Sequence, residues 1–185
     1  MNSIHPNAKL GKGTIIGEFS IIHDKVTLGD NVIVCSLVEI GAQPVSYSND
    51  KLVKGMYGVR IGNNCVFHSG TKVVLGTERD TIIGKDSHFG QNAIIGHDSI
   101  IGEKVNFMNS AVANGFVEVG SLTMIGCGAF IRNRIKIGKN VIIGMGSNVL
   151  EDISDNVVAF GNPCKVQRKN DGDVKFILKQ FMIGV

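Results

Sequence analysis

Five histidines carry the acid–base chemistry open to this 185-residue chain, at positions 5, 23, 68, 88 and 97, and His97 is followed at once by Asp98. An imidazole ordinarily titrates near pH 6.5, which suits it at neutral pH to take a proton from a hydroxyl or amine that is attacking a carbonyl. Neighbouring strand residues point to opposite faces, so contact between His97 and Asp98 requires the chain to turn a corner there. The plain alternative is that His97 is one of several histidines on a polar outer face. His5, His23 and His88 stand in no constellation and read as structural or surface groups. The four cysteines, Cys35, Cys65, Cys127 and Cys164, form no C-x-x-C pair and follow neither a signal peptide nor a long apolar segment, so a reducing cytoplasm is the expected compartment. A covalent route through Cys127 finds no histidine at a stacking position.

The elements that must position these groups are written in a period of six. An apolar residue returns at Ile4, Leu10, Ile16, Ile22, Leu28, Val34 and Ile40, again at Ile61, Phe67 and Val73, and then in one unbroken run from Ile83 to Val149. Six matches neither the helical period of 3.6 nor strand alternation, so the repeat is supersecondary. It describes a solenoid of short strands in which every sixth side chain points inward and three steps close one triangular coil. Coils stack about 4.8 Å apart and pair their backbones with the coils above and below. The three prolines, which cannot donate to such ladders, fall outside the runs at Pro6, Pro44 and Pro163. About seven coils result, one all-β domain over residues 1–164 with a basic tail at 165–185.

Composition and charge agree. The absence of tryptophan and the 24 glycines suit a thin prism filled by isoleucine and valine. Beyond Cys164, Lys165, Arg168, Lys169, Lys175 and Lys179 outnumber Asp171 and Asp173, which accounts for the whole net charge of +3. The repeats carry no basic stripe of the kind that tracks a nucleic acid. The tail either keeps the protein soluble or anchors a phosphate-bearing ligand against the last coils.

Function is expected where the repeat is interrupted, because a coil that only stacks gains nothing from an insertion. One insertion covers residues 42–57 and a short one residues 77–80. Counting in threes puts Ile40, Val73 and Ile95 on one side of successive coils, so both loops project beside His97, and long loops on a rigid scaffold usually carry recognition. One coil is 18 residues, which stacks Gly115 over His97, with open space and a free N–H that could hold an oxyanion. Glycine is also what a hexad turn requires for its own sake.

These residues carry a family resemblance over most of the chain. The repeats resemble the left-handed parallel β-helix of the hexapeptide acyltransferases, and the handedness comes from that resemblance alone. It implies a homotrimer with active sites between subunits. The segments IIGHDSIIG, GFVEVGSLTMIGCGAFI, KIGKNVIIGMGSNVLEDI and DNVVAFGNPCKV resemble acetyl-CoA-dependent nucleotide-sugar acetyltransferases of surface-polysaccharide biosynthesis. The middle, VEIGAQPVSYSNDKLVKG and VRIGNNCVFHSGT, resembles the UDP-N-acetylglucosamine acyltransferase of lipid A synthesis, which uses acyl carrier protein. In both branches the histidine matching His97 is the base, and the acid matching Asp98 orients it or raises its basicity. The acetyl-CoA branch implies Asn106 and Gly115 at the thioester end of the cofactor, Cys127 and Met145 on its pantetheine arm, and Lys165 and Arg168 on its ribose phosphate. The lipid A branch implies that His68, in FHSGT, hydrogen-bonds the sugar or its diphosphate, the plain alternative being a turn histidine satisfied by the backbone; Asn92 is read as a further substrate-binding residue.

Two rivals share the fold. Zinc carbonic anhydrases need histidines five residues apart, and the position five before His97 is Asn92, a poor zinc ligand, so no metal is expected. A non-catalytic β-helix scaffold explains the repeats but not two loops and a His–Asp pair at one corner. Against the lipid A enzyme, residues 174–183 offer only a short amphipathic helix in place of a helical domain. The reading is a cytoplasmic, trimeric acyltransferase acting on a nucleotide-linked amino sugar, with acetyl-CoA as donor and no membrane span. An acyl-carrier-protein-dependent enzyme of the lipid A type is the alternative.

Overall fold

The computed structural model describes residues 1–44, 47–48, 51–52 and 56–172, with the backbone alone for 47–48 and 51–52. Its strands build the three flat faces that the hexad requires. The first face stacks eight strands from Ser3–Ile4 to Asn148–Val149, the second seven from Lys9–Leu10 to Lys136–Ile137, and the third nine from Ile15–Ile16 to Cys164–Lys169. All coil-to-coil pairing is parallel, and the 18-residue step is direct in pairs such as Ile95 with Ala113 and Ala113 with Ile131. The solenoid is a left-handed parallel β-helix.

Hexad residues fill the prism. From Ile22 onward each is buried, whereas Ile4 and Leu10, in the first coil, are 43% and 41% exposed. Each buried isoleucine contributes about 1.5–3 kcal/mol relative to an exposed one, so the repeat is its own core. The three inward phenylalanines lie one above another, Phe67 on Phe89 at 4.8 Å and Phe89 on Phe107 at 5.5 Å between ring centroids. Large rings therefore do enter this thin core, as a stack along the third face.

The outward rows differ by face. On the second face Lys9, Arg60, Glu118 and Lys136 stand among Thr27, Ile82 and Ile100. On the first the row reads Ser3, Ile21, Glu39, Lys72, Ile94, Val112, Phe130 and Asn148. The third carries Ile15, Ile33, Val66, His88, Asn106, Met124 and Ile142.

The C-terminal end departs from the hexad. The coil continues past Val149 through a bridge of Ile153 to Ile137 and through Val157–Gly161, whose Ala159 pairs with Ile143. The short step from 149 to 153 breaks the period of six and hides this last coil from a hexad count. Residues 165–169, read as the start of the tail, lie in Cys164–Lys169, which turns back antiparallel on Val157–Gly161. Asn170 is buried and donates to the Asn140 carbonyl at 2.9 Å. The helix expected over 174–183 lies outside the described residues. Among the described residues no helix is long and apolar enough to cross a membrane.

Candidate active site

Both insertions leave the first face and enter the second. Ile40, Val73 and Ile95 are register neighbours there, so both insertions depart from the corner that holds His97. Within the first insertion, Tyr47–Ser48 pairs antiparallel with Lys51–Leu52.

Asp98 turns that corner in the left-handed region, with φ of 60°. The turn defeats the alternation that would part neighbouring side chains, and His97 Nδ1 comes within 2.7 Å of Asp98 Oδ2. The carboxylate is completely buried and also accepts from the N–H groups of Thr77, Glu78 and Arg79 at 3.0, 2.7 and 2.7 Å and from the Thr77 hydroxyl at 2.7 Å. Burial alone would raise its pKa, but the bonds from Thr77, the Glu78 N–H, His97 and the Arg79 N–H outweigh burial and hold it at about 2. Asp98 is therefore an ionised acceptor and Nδ1 of His97 must be the donor, so that in the neutral ring the lone pair is on Nε2. One carboxylate thus fixes both the imidazole and the second loop.

The ring is packed as well as bonded. Phe116 meets it edge-on at 5.3 Å between centroids, and the Arg134 guanidinium covers Phe116 at 4.1 Å. A Cβ on Gly115 would lie 2.5 Å from Cε1 and Nε2 of His97. The open space expected over the base is thus occupied by the imidazole itself, and glycine is required there because nothing larger fits. The Gly115 carbonyl accepts from Arg134 N–H at 3.0 Å, while its own N–H donates to no described group. The His97 side chain is 17% exposed and opens on a groove of about 520 Å³ that also includes Glu39, Lys72, Ile94, Asn114 and Gly115.

The other expected residues lie elsewhere on the chain. Asn106 and His68 line a separate pocket of about 350 Å³ on the third face, together with His88, whose pKa is lowered by burial and by the charge of His68. Asn92, exposed Cys127 and Met145, 79% exposed, sit in the turns between third and first faces. Lys165 and Arg168 are on the terminal strand, where Lys165 Nζ donates to Glu151 at 2.8 Å and Arg168 to the Lys169 carbonyl at 3.0 Å. One chain therefore unites His97, Asp98 and Gly115, and does not bring Asn106, Cys127, Met145, His68 or Asn92 to them. Among the described residues no group of three or more His, Cys, Asp or Glu side chains could hold a metal ion.

Three groove residues escape the sequence reading. His23, read as a structural or surface group, donates from Nε2 to Glu39 Oε1 at 3.0 Å, and Lys72 Nζ donates to Glu39 Oε2 at 3.0 Å. The signal was present: Glu39 and Lys72 directly precede Ile40 and Val73, so stacking those two also stacks their neighbours.

Fold and repeat define the class. Residues 3–42 match the model of the bacterial transferase hexapeptide family, described as six repeats. The chain is 34% identical over 145 residues to a galactoside O-acetyltransferase of Lactococcus lactis, covering 68% of this chain and 70% of that protein. It belongs to the hexapeptide transferase family and is an acyltransferase. It is also 29% identical over 154 residues to an acyl-[acyl-carrier-protein]–UDP-N-acetylglucosamine O-acyltransferase of Verminephrobacter eiseniae, matching 81% of this chain but only 57% of that longer protein. Among solved structures, the UDP-N-acetylglucosamine acyltransferase from Campylobacter jejuni superposes with a TM-score of 0.83 over 97% of this chain and 74% of that one. At 24% identity this likeness speaks to fold alone.

Proposed function

We propose that the chain is a cytoplasmic, homotrimeric acyltransferase that moves an acetyl group from acetyl-CoA to a nucleotide-linked amino sugar, with His97 as general base. The observation that carries this is an imidazole fixed through Nδ1 by an ionised carboxylate, with Nε2 beside the unpaired Gly115 N–H at the edge of a groove. Nε2 takes the proton as the acceptor oxygen or nitrogen bonds to the thioester carbonyl carbon. The oxyanion rests on the Gly115 N–H and then re-forms the carbonyl, expelling a thiolate that recovers the proton from His97. Asp98 stabilises the imidazolium formed in between.

The trimer accounts for the outer rows. The third face presents a mostly apolar row, the first an apolar row interrupted by the Glu39–Lys72 pair, and the second most of the charges, as expected of a prism that packs two faces on neighbours and wets the other. Asn106, Cys127, Met145, Lys165 and Arg168 then serve the donor, and His68 and Asn92 the acceptor, with one site drawing on two copies.

The lipid A type of reaction, with acyl carrier protein as donor, is favoured by the likeness to the Verminephrobacter protein. One experiment separates these readings. Purified protein is offered acetyl-CoA and acyl-carrier thioesters with UDP- and dTDP-linked amino sugars and a galactoside. Transfer from acetyl-CoA, reduced by about 10²–10⁴ in a His97→Ala variant that keeps its oligomer, is the expected result. Transfer from acyl carrier protein alone would establish the lipid A reading. Turnover unchanged in His97→Ala would refute the assignment of the base.

A further inference from the structure

The outward row of the first face is apolar at Ile21, Ile94, Val112 and Phe130, and is broken by charge at two successive positions, Glu39 and Lys72. The break falls in the groove that holds His97. Glu39 is 27% exposed and Lys72 50%, and each oxygen of the carboxylate accepts one bond, from His23 and from Lys72. A carboxylate has about four accepting positions, so Glu39 keeps capacity on both oxygens, and Lys72 has two further N–H donors. Burial raises the Glu39 pKa, but the bonds from Lys72 and His23 bring it below the usual range, so it is ionised and purely accepting. A cross-strand pair needed only for stacking would be better served by the apolar residues around it, since an exposed ion pair contributes about 0–1 kcal/mol.

We propose that Glu39 and Lys72, steadied by His23, are specificity-determining residues that grip neighbouring hydroxyls of a sugar ring and present a third position of that ring to His97. This rests on the reading of the groove as the acyl-transfer site and narrows its acceptor. An accepting carboxylate set 3.0 Å from a donating ammonium matches a vicinal diol, whose two hydroxyls can donate to one and accept from the other. The charges of Glu39 and Lys72 cancel, and Asp98 is committed to the loop and to His97, so the groove has no surplus positive charge for a diphosphate. The ring is read here and any phosphate is held elsewhere.

The test is binding of methyl β-galactopyranoside, UDP-N-acetylglucosamine, UDP and CoA to the full chain, by NMR titration with saturation transfer to ring protons. Saturation of ring protons is expected with the glycoside if the ring arrives free, or with the sugar nucleotide if it arrives linked. Glu39→Gln and Lys72→Met should each weaken that sugar at least fivefold while UDP and CoA change less than twofold. The proposal is overturned if no ring proton of either sugar saturates, if sugar affinity falls less than fivefold, or if UDP or CoA weakens in parallel. Failure of the base assignment shows separately, as undiminished turnover by His97→Ala, and leaves these binding constants where they are.

Discussion

Two corners of this prism come from the same hexad and have opposite characters. The corner between third and first faces carries only short turns, among them those of Asn92, Cys127 and Met145, and no insertion. At the corner between first and second faces two insertions interrupt the repeat, and a buried carboxylate there accepts from three consecutive backbone N–H groups and an imidazole. Corners that only turn can be filled by any residue tolerating the geometry. Where polar groups are buried and all satisfied, the chain has been built around them, and such networks hold a reactive side chain in one orientation.

The sharpest contrast is between two glycines. At Gly115 a methyl would enter the space of the His97 ring, whereas at Gly128, in the regular corner with φ of 65°, nothing lies within 4 Å. Gly115→Ala is expected to lower turnover about 100-fold by displacing the base, with a small change in melting temperature. Gly128→Ala should cost about 1 kcal/mol of stability from its left-handed backbone and leave turnover within about twofold. Equal turnover losses in the two variants would erase the distinction between the corners.

Asp98→Asn comes next, with turnover about tenfold lower, because an amide cannot accept from the loop and the imidazole as a carboxylate does. Its pH dependence has a definite sign. The folded carboxyl sits at about 2 against an ordinary value of 3.8, so its contribution is fully present above about pH 4 and is lost as pH falls through 2. That contribution is roughly 2 kcal/mol. Acid unfolding followed by circular dichroism should show this limb in the wild type and lack it in Asp98→Asn. The smallest effects belong to the regular corner: Cys127→Ser and Met145→Ala should raise the donor KM about threefold and leave kcat alone, as steady-state kinetics would show.

Much of this was legible because the repeat fixes position by counting. Ile40, Val73 and Ile95 stack as their spacing requires, which places both insertions beside His97 by counting alone. What counting could not reach is set by side chains that cross coils. Asp98 was readable as a neighbour of His97, but its hold on residues 77–79 depends on a left-handed turn that the letters do not declare. Glu39 and Lys72 are 33 residues apart and meet only because the insertion between them leaves the register intact. Asn106 reads as a companion of Gly115 by family likeness, and within one chain it lies on a strand of the third face, in the pocket of His68 and His88. The last coil was lost where the step from Val149 to Ile153 shortens the period.

A crystal structure with the ketone analogue of acetyl-CoA, in which a methylene separates sulfur from the carbonyl, bears most directly on the difference between the corners. The carbonyl oxygen is expected within hydrogen-bonding distance of the Gly115 N–H, with the carbonyl carbon facing Nε2 of His97. A carbonyl seated instead in the third-face pocket of His68, His88 and Asn106, with the groove at His97 empty, would contradict it.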